Sequence, residues 1–265
     1  IAIIMFIARS LAIRQDYIKS FKEAFLPIIA PVILFCALIA PSNLSTAALL
    51  FVTAFIMMFV GRISMKYVIL LTILGIGVFA GIFLIGQYFP EHFRVDTWIS
   101  RINDFLYSDG GYQIEQSKVA IANGGFLGVG PGNSNQRHFL PFAYADFIYA
   151  IICEEYGLIG GAVILFLYLW LLFRTISLVT RCPKTFGAML AMGLMLNIVI
   201  TAFANIAVSV QLVPATGLTL PMISMGGTSF LFTCLSFGII LSVSRYVEQA
   251  YEEKKQLAKM ELDGT

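Results

Sequence analysis

The stretch FIYAIICEEYGLIGGAVILFLYLWLLF, residues 147–173, decides the fold. It is apolar along almost its whole length, and a helix needs about 20 such residues to cross the hydrocarbon of a bilayer. Similar apolar runs occur on both sides of it, at residues 25–39, 44–60, 67–88, 186–213 and 220–243. The sequence therefore predicts six membrane-spanning helices.

A partial seventh span lies at the start of the chain. Residues 1–13 are mostly apolar and end near Arg9 and Arg14, but a helix of that length covers only about 20 Å of a ~30 Å core. The chain also begins on isoleucine and has neither a basic leader nor a cleavage site. We expect it to be the C-terminal portion of a longer protein, cut inside a helix.

The composition excludes several classes of protein. With 59% hydrophobic and 12% charged residues and a mean hydropathy of +0.87, the chain cannot be a water-soluble globule. The net charge of +2 comes from dispersed basic residues, which argues against nucleic-acid binding. The four cysteines suggest neither a disulfide pair nor a zinc site. The sequence predicts an integral membrane protein.

Lysines and arginines predict its orientation. Most of them fall in four segments that share one side if every span crosses once, at residues 9–22, 62–66, 174–184 and 245–259. The positive-inside rule makes this side cytoplasmic. The long polar loop at residues 89–146 must then face outward, with its four basic residues, Arg94, Arg101, Lys118 and Arg137. We expect one membrane domain over residues 1–265, with a cytoplasmic tail at residues 246–265.

The outer loop has four features in order along the chain. They are an amphipathic stretch at residues 94–101 with Trp98 suited to the membrane interface, a short helix at 112–123, a glycine-rich segment at 124–132, and residues 140–146 leading into the next span. The glycine-rich segment has two interpretations. Its N–H groups could bind a phosphate, or it could be a tight re-entrant turn, since no Gly-Lys-Ser/Thr follows.

Three acidic residues stand near the membrane boundary. Asp146 lies at the mouth of the 147–173 span, where it could act as a catalytic base or cap the helix. Glu154 and Glu155 lie inside the span and must face the bundle interior. They could be structural ion-pair partners of Lys118 or the loop arginines, or catalytic groups.

Polar residues also interrupt the last two apolar runs. Asn197, Asn205 and Gln211 are spaced as interhelical hydrogen-bonding residues are. The segment 214–229 contains paired prolines and glycines, which predict a helix break that lines a cavity.

Three strings in these regions resemble a known family. They are Tyr112-Gln113…Gln116-Ser117-Lys118…Gly124-Gly125…Gly128-x-Gly130, then Leu140-Pro141…Asp146-Phe147-Ile148…Glu154-Glu155-x-Gly157, and Pro214-x-x-Gly217-x-x-Leu220-Pro221-x-Ile223-Ser224-x-Gly226-Gly227-x-Ser229. In this order they are similar to the SEDS family of bacterial membrane glycosyltransferases, named for shape, elongation, division and sporulation. The resemblance implies an all-α polytopic helical bundle. About seven spans are present here, similar to spans four to ten of a ten-span fold with one large extracytoplasmic loop.

The resemblance also implies an activity, the polymerisation of peptidoglycan glycan strands from lipid II at the outer face of the bacterial cytoplasmic (inner) membrane. The acceptor sugar hydroxyl loses a proton as it attacks the donor's anomeric carbon, and Asp146 is the implied general base. Gly132-Asn133-Ser134-x-Gln136 and residues 217–221 favour the division branch of the family over the elongation branch.

Further residues are assigned to substrate binding. The set is Arg101, Gln116, Lys118, Asn133, Ser134, Gln136, Ser224, Gly226 and Gly227. We expect Arg101, Lys118 and the glycine turn to stabilise the departing pyrophosphate. A divalent cation, Mg or Mn, could share this task, and its ligands are unknown. The implied partners are lipid II, a class B penicillin-binding protein that crosslinks the strands, other division proteins and membrane lipid.

Two further functions remain open beside this one. A transporter that flips lipid II would also need a polar cavity and intramembrane carboxylates such as Glu154 and Glu155. A non-catalytic division scaffold would be consistent with the departures from the family pattern at residues 41–46, 144–145 and Met225. An elongation polymerase is the alternative within the family.

Overall fold

The computed structural model describes residues 1–88, 95–107 and 111–263. Within these ranges the chain is helical and contains no β-strand, which confirms the predicted all-α class. The helices are α1 (Ala2–Ile13), α2 (Leu26–Ile39), α3 (Leu44–Val60), α4 (Met65–Tyr88), α5 (Val95–Tyr107), α6 (Gly111–Gly124), α7 (Ile148–Arg181), α8 (Thr185–Ser209) and α9 (Gly227–Asp263). A π-helical turn, Phe21–Phe25, leads into α2.

The apolar runs are helices, as predicted. Four helical segments in the described residues are long and apolar enough to cross a bilayer, namely Phe21–Ile39, Ile148–Arg181, Thr185–Ser209 and Gly227–Gln256. Shorter apolar helices occupy Ala2–Ile13, Leu44–Val60 and Met65–Gly75. The protein is therefore a multi-pass membrane protein.

The last predicted span was placed wrongly. It was expected to begin at residue 220, but α9 begins at Gly227, and most of residues 210–226 have non-helical backbone. Pro214 and Pro221 lack the N–H groups that a continuous helix needs there. At its other end α9 continues to Asp263, so most of the segment expected to be the cytoplasmic tail is helical.

The core of the bundle is built around α8. Buried apolar side chains of α1, α3 and α8 form one cluster, represented by Ile7, Leu11, Met57 and Leu194, each 1% exposed or less. Helices of a membrane bundle associate through such close packing because lipid tails are as apolar as the side chains themselves. The packing makes α8 the support against which α7 and α6 lie.

The loop between α4 and α7 carries α5 and α6. The predicted short helix is confirmed as α6, which packs on α7 and α8 and is tied to α8 by the buried Ser117 hydroxyl, donating to the carbonyl of Ser209 at 2.8 Å. The predicted amphipathic stretch coincides with the start of α5, although Arg94 and the side chain of Trp98 lie outside the described residues.

Helix α7 is interrupted at Gly157. Its φ of 70° and ψ of −172° are restricted to glycine, and they break the regular hydrogen bonding of the helix. The glycine-rich turn, which we define as residues 124–132, supplies the missing partners. Its four bonds are Leu158 N to Gly125 O (2.9 Å), Ile159 N to Phe126 O (3.5 Å), Val129 N to Glu154 O (3.0 Å) and Gly130 N to Glu155 O (3.0 Å).

Glycine is required for this contact. A Cβ added at Gly124, Gly128 or Gly157 would overlap backbone atoms of the facing segment. Of the two interpretations of the glycine-rich turn, the structure shows the tight packing turn. The N–H groups of Val129 and Gly130 are bonded to α7 and are therefore not presented to a phosphate.

Candidate active site

Asp146 lies in the turn that leads into α7. The N-cap of α7 is Phe147, and no side chain caps the helix, so the interpretation of Asp146 as a helix cap is wrong. Its N–H donates to the carbonyl of Phe142 at 3.1 Å. Phe142 has a φ of 56°, a left-handed conformation that is uncommon for a bulky residue. The turn is thus tightly wound, and the Asp146 carboxylate is left for a neighbouring cleft.

The cleft beside Asp146 has a volume of about 700 Å³. Its walls come from α5, α6, α8 and the broken segment before α9. The polar residues that line it include Arg101, Asp104, Gln113, Asp146, Asn205 and Thr216. A cleft of this size accommodates a sugar-sized ligand.

The environment of Asp146 changes its acidity. Partial burial raises the pKa of the Asp146 carboxyl above its usual value, because desolvation disfavours the charged form, and the nearby positive charge of Arg101 opposes this rise. A carboxylate with a raised pKa is a stronger base than one in water. Such a carboxylate can take a proton from a hydroxyl group near neutral pH.

The backbone of the Asp146 turn is clamped to the broken segment before α9. The Asn205 amide donates to the carbonyls of Asp146 and Leu218, both at 2.6 Å. The Ser224 hydroxyl donates to the carbonyl of Ala145 at 2.5 Å. Two side chains on different elements therefore fix the position of the carboxylate relative to the cleft.

Two residues of the cleft wall have side-chain oxygens that are buried behind its surface. Asn205 Oδ1 and Thr216 Oγ1 are buried, and neither has a hydrogen-bond partner within the described parts of the chain. Gly217, with a φ of 66°, brings the backbone so close that a Cβ there would lie 3.9 Å from Asp146 Oδ2. The cleft thus combines a base, a cation and neutral polar atoms, a set that suits a polyhydroxylated anionic ligand.

A smaller cavity of about 380 Å³ adjoins the cleft. Both cavities are lined by Thr97, Arg101 and Thr216, and the smaller one extends to Asn43 at the start of α3. Arg101 is held between them by a hydrogen bond from Nη1 to the carbonyl of Ala215 at 3.1 Å. One guanidinium therefore faces both cavities.

Two of the predicted substrate ligands, Ser134 and Gln136, donate hydrogen bonds to Glu154. The Ser134 hydroxyl donates to the Glu154 carboxylate, and the Gln136 N–H reaches both of its oxygens, at 3.3 and 3.4 Å. Glu154 is 1% exposed, and its donors are uncharged groups. These contacts favour a structural role for Glu154, held by a hydroxyl and a backbone N–H, and the ion pair expected with Lys118 or a loop arginine stays a prediction. Glu155 beside it is half-buried.

The other predicted ligands lie away from the cleft walls. Gln116 and Lys118 are half-buried on α6. Asn133 donates its side-chain amide to the carbonyl of Val129 at 3.3 Å. Gly226 and Gly227 lie where α9 begins. Of the predicted set, the structure brings Arg101 and Asp146 together in the cleft, and Ser224 supports the turn from behind.

Sequence reasoning missed Asn205, Asp104 and Thr216 as residues of this site. Asn205 was interpreted as an interhelical hydrogen-bonding residue, although it bonds to two non-helical carbonyls. A polar side chain in an apolar run, shortly before a Pro- and Gly-rich break, was the available signal.

The fold and the cleft together define a polytopic helical membrane protein with a carboxylate and an arginine in one cleft at the end of its bundle. The family model for cell cycle proteins of the FtsW, RodA and SpoVE type matches residues 1–249. The chain belongs to this family, as the resemblance implied.

Named relatives support the assignment. Stage V sporulation protein E of Bacillus subtilis (strain 168) is 36% identical over 248 residues, covering 93% of this chain and 67% of the relative. The probable peptidoglycan glycosyltransferase FtsW of Geobacter sp. (strain M18) is 36% identical over 251 residues, covering 92% and 66%. The chain thus spans about two thirds of the length of the curated relatives it matches.

Solved structures share the fold. One, described as "Structural coordination of polymerization and crosslinking by a peptidoglycan synthase complex", has a TM-score of 0.67 and 23% identity, covering 93% of this chain and 68% of that one. A crystal structure of a mutant of Thermus thermophilus rod shape determining protein RodA has a TM-score of 0.56 and 21% identity, covering 90% and 64%. These likenesses show the fold alone.

Proposed function

We propose that the protein polymerises peptidoglycan glycan strands from lipid II, with Asp146 as the general base. The observation that carries the proposal is the position of Asp146, uncapped and partly desolvated in a cleft of about 700 Å³ that also contains Arg101. Family membership and the names of relatives, several of which are called probable peptidoglycan glycosyltransferase FtsW, support the same activity.

The chemistry follows from the roles of the two charged groups. The acceptor's sugar hydroxyl attacks the anomeric carbon of the donor while Asp146 takes the hydroxyl proton. The bond between the anomeric carbon and the donor's pyrophosphate breaks, and that leaving group carries away the electron pair. Arg101, which faces both cavities, is placed to stabilise the growing negative charge.

A divalent cation belongs to the same proposal. Asp104 and Asp146 both line the cleft, and carboxylate oxygens are the ligands that Mg or Mn prefers. No group of three or more His, Cys, Asp or Glu side chains in the described residues could hold a metal ion. Asp104 would hold such a cation together with oxygens of the substrate, where the cation would offset pyrophosphate charge, while Asp146 stays free to act as the base.

The outer side of the membrane is the proposed location of the cleft, because the basic residues of the other connections favour the cytoplasm. A class B penicillin-binding protein and other division proteins are the proposed partners. The similar solved structure is named as a peptidoglycan synthase complex that coordinates polymerization and crosslinking, which supports a partner of this kind. The proposed role in division is based on the FtsW relatives. A sporulation protein has the same sequence identity to this chain, 36%.

The proposal is tested with the full-length protein and its partner, purified and supplied with lipid II. Asp146→Asn keeps the shape of the side chain and removes the base, so strand synthesis should fall by about 10²- to 10⁴-fold. Glu155→Gln is the matched control, because it makes the same chemical change outside the cleft. Synthesis by Asp146→Asn at the control rate would show that Asp146 is not the base.

A further inference from the structure

Phe126 and Leu127 form the tip of the glycine-rich turn. They are 77% and 80% exposed, and two adjacent large apolar side chains with that exposure indicate contact with something other than water. The tip adjoins the part of α7 that begins at Gly157, where Leu158 and Ile159 are 46% and 55% exposed. The four side chains therefore belong to one apolar surface.

The sequence of α7 indicates how deep this surface lies in the membrane. No charged residue occurs between Glu155 and Arg174. At 1.5 Å per residue this uncharged run is roughly 27 Å long, close to the ~30 Å thickness of bilayer hydrocarbon. Because charged groups avoid hydrocarbon, Glu155 and Arg174 mark its two edges along α7. Leu158 and Ile159 then lie about one helical turn inside the edge at Glu155.

Backbone hydrogen bonds bring the tip to the same depth. The carbonyls of Gly125 and Phe126 accept from the N–H groups of Leu158 and Ile159, at 2.9 and 3.5 Å. Irregular backbone is tolerated at hydrocarbon depth only where protein satisfies its polar groups. The break at Gly157 provides the partners for these two carbonyls. A turn at this depth is thus compatible with lipid around its side chains.

We propose that the Phe126–Leu127 tip is a re-entrant membrane anchor, inserted into bilayer hydrocarbon beside α7. Continuity favours lipid as the occupant, because the exposed apolar face of α7 extends from Ile159 through residues such as Phe166 and Phe173. No charged side chain occurs in the glycine-rich turn. The tip and Asp146 belong to the same connection between α6 and α7, and both are joined to α7, so the anchor helps to set the height of the Asp146 turn relative to the bilayer.

The anchor can be tested with a nitroxide spin label on the full-length protein in lipid nanodiscs. The label is attached to Leu127→Cys, in a background where Cys36, Cys182 and Cys234 are replaced by alanine and the buried Cys153 is kept. Oxygen partitions into hydrocarbon, whereas a nickel chelate stays in water. We expect collisions with oxygen to exceed collisions with nickel at this position. Phe126→Cys serves as a second, independent variant.

The control position is His138, an exposed polar residue later in the same loop. A label on His138→Cys should show the opposite ratio, with nickel collisions exceeding oxygen collisions. A label on the tip that meets nickel as freely as this control overturns the anchor. A label that meets neither reagent also overturns it, because the tip would then be covered by protein, either another part of the longer chain or a partner. Each variant must retain the thermal unfolding midpoint of its parent.

Discussion

Two acidic residues near the start of α7 have opposite surroundings. Asp146 opens onto a cleft of about 700 Å³, and its pKa is raised by burial against the opposing charge of Arg101. Glu154 is 1% exposed, and its carboxylate accepts hydrogen bonds from Ser134 and Gln136. A carboxylate near a membrane boundary is thus not in itself evidence of a site. The space and donors around it decide its role.

The two regions also differ in how they are held. The Glu154 region is fixed by backbone contacts so close that only glycine fits at Gly124, Gly128 and Gly157. The Asp146 region is fixed mainly by side chains, the amide of Asn205 and the hydroxyl of Ser224. We therefore expect substitutions in the first region to affect folding most, and substitutions in the second to affect activity most.

The largest effect on stability is expected from Gly157→Ala. Alanine at a φ of 70° and ψ of −172° is strained, and its Cβ would overlap the Phe126 carbonyl. We expect the turn to separate from α7, with a loss of about 4 kcal/mol of unfolding free energy. Thermal unfolding of the purified protein in nanodiscs measures it.

Gly125→Ala is the matched control for this substitution. Gly125 also has a positive φ, 53°, but a Cβ there meets no atom of the described chain within 4 Å. The expected loss is therefore the left-handed strain alone, roughly 1–2 kcal/mol. Equal losses for the two variants would mean that the close contact with α7 contributes nothing.

A smaller loss of stability is expected from Glu154→Gln. Glutamine keeps the shape but replaces one acceptor oxygen by an NH₂ group, so one of the two oxygens that face Ser134 and the Gln136 N–H can no longer accept a hydrogen bond. We expect roughly 2–3 kcal/mol less unfolding free energy, because hydrogen bonds to a buried charged group are strong. Glu155→Gln, in a half-buried position, should lose far less. A Glu154→Gln protein as stable as the parent would contradict the structural role.

The Asn205→Leu substitution addresses the side-chain clamp of the Asp146 region. Loss of the two hydrogen bonds from the Asn205 amide should lower the unfolding free energy by only about 1–2 kcal/mol. Strand synthesis should fall by a larger factor, because the Asp146 turn is no longer held in place. Asn197→Leu, on the same helix and half-buried, is the control. Synthesis and stability are measured on the same preparations, and parallel losses in both variants would show that Asn205 has no specific role in positioning Asp146.

The sequence predicted the helices well because hydropathy is a property of each run by itself. The start of α9 was wrong for the same reason, since residues 220–226 are apolar enough for a span although they belong to a break that begins beyond Ser209. A tight turn at residues 124–132 was one of two interpretations, but the kink at Gly157 that it fills could not be predicted, because their hydrogen bonds join segments that meet only in the folded protein.

The candidate site was predicted in part. Asp146 was identified from its place at the mouth of a span and from the family resemblance, and the structure places it in the cleft together with Arg101. Ser134 and Gln136 were expected to bind substrate, and that stays a prediction. Their contacts with Glu154, through the Ser134 hydroxyl and the Gln136 backbone N–H, could not be predicted because they join segments that meet only in the folded protein. Asn205 was missed because its two acceptors lie on other segments.

The smallest effect, and the one that probes the cleft most directly, concerns Arg101→Gln. Desolvation raises the pKa of Asp146, and the positive charge of Arg101 lowers it in part. Removing the charge leaves desolvation unopposed, so the pKa rises further and more of Asp146 is protonated at a given pH. Since the base must be ionised, the acid limb of the pH profile of strand synthesis should move to higher pH.

Arg101→Lys is the matched control, because it keeps the charge and alters the hydrogen bond to Ala215. Its acid limb should stay near that of the parent, even if its rate is lower. Glu155→Gln should also leave the limb in place. If Arg101→Gln leaves it there too, the field of Arg101 does not reach the reacting carboxylate. Asp146 and Glu154 would then differ in the open space around Asp146, and the charge of Arg101 would not contribute to the difference.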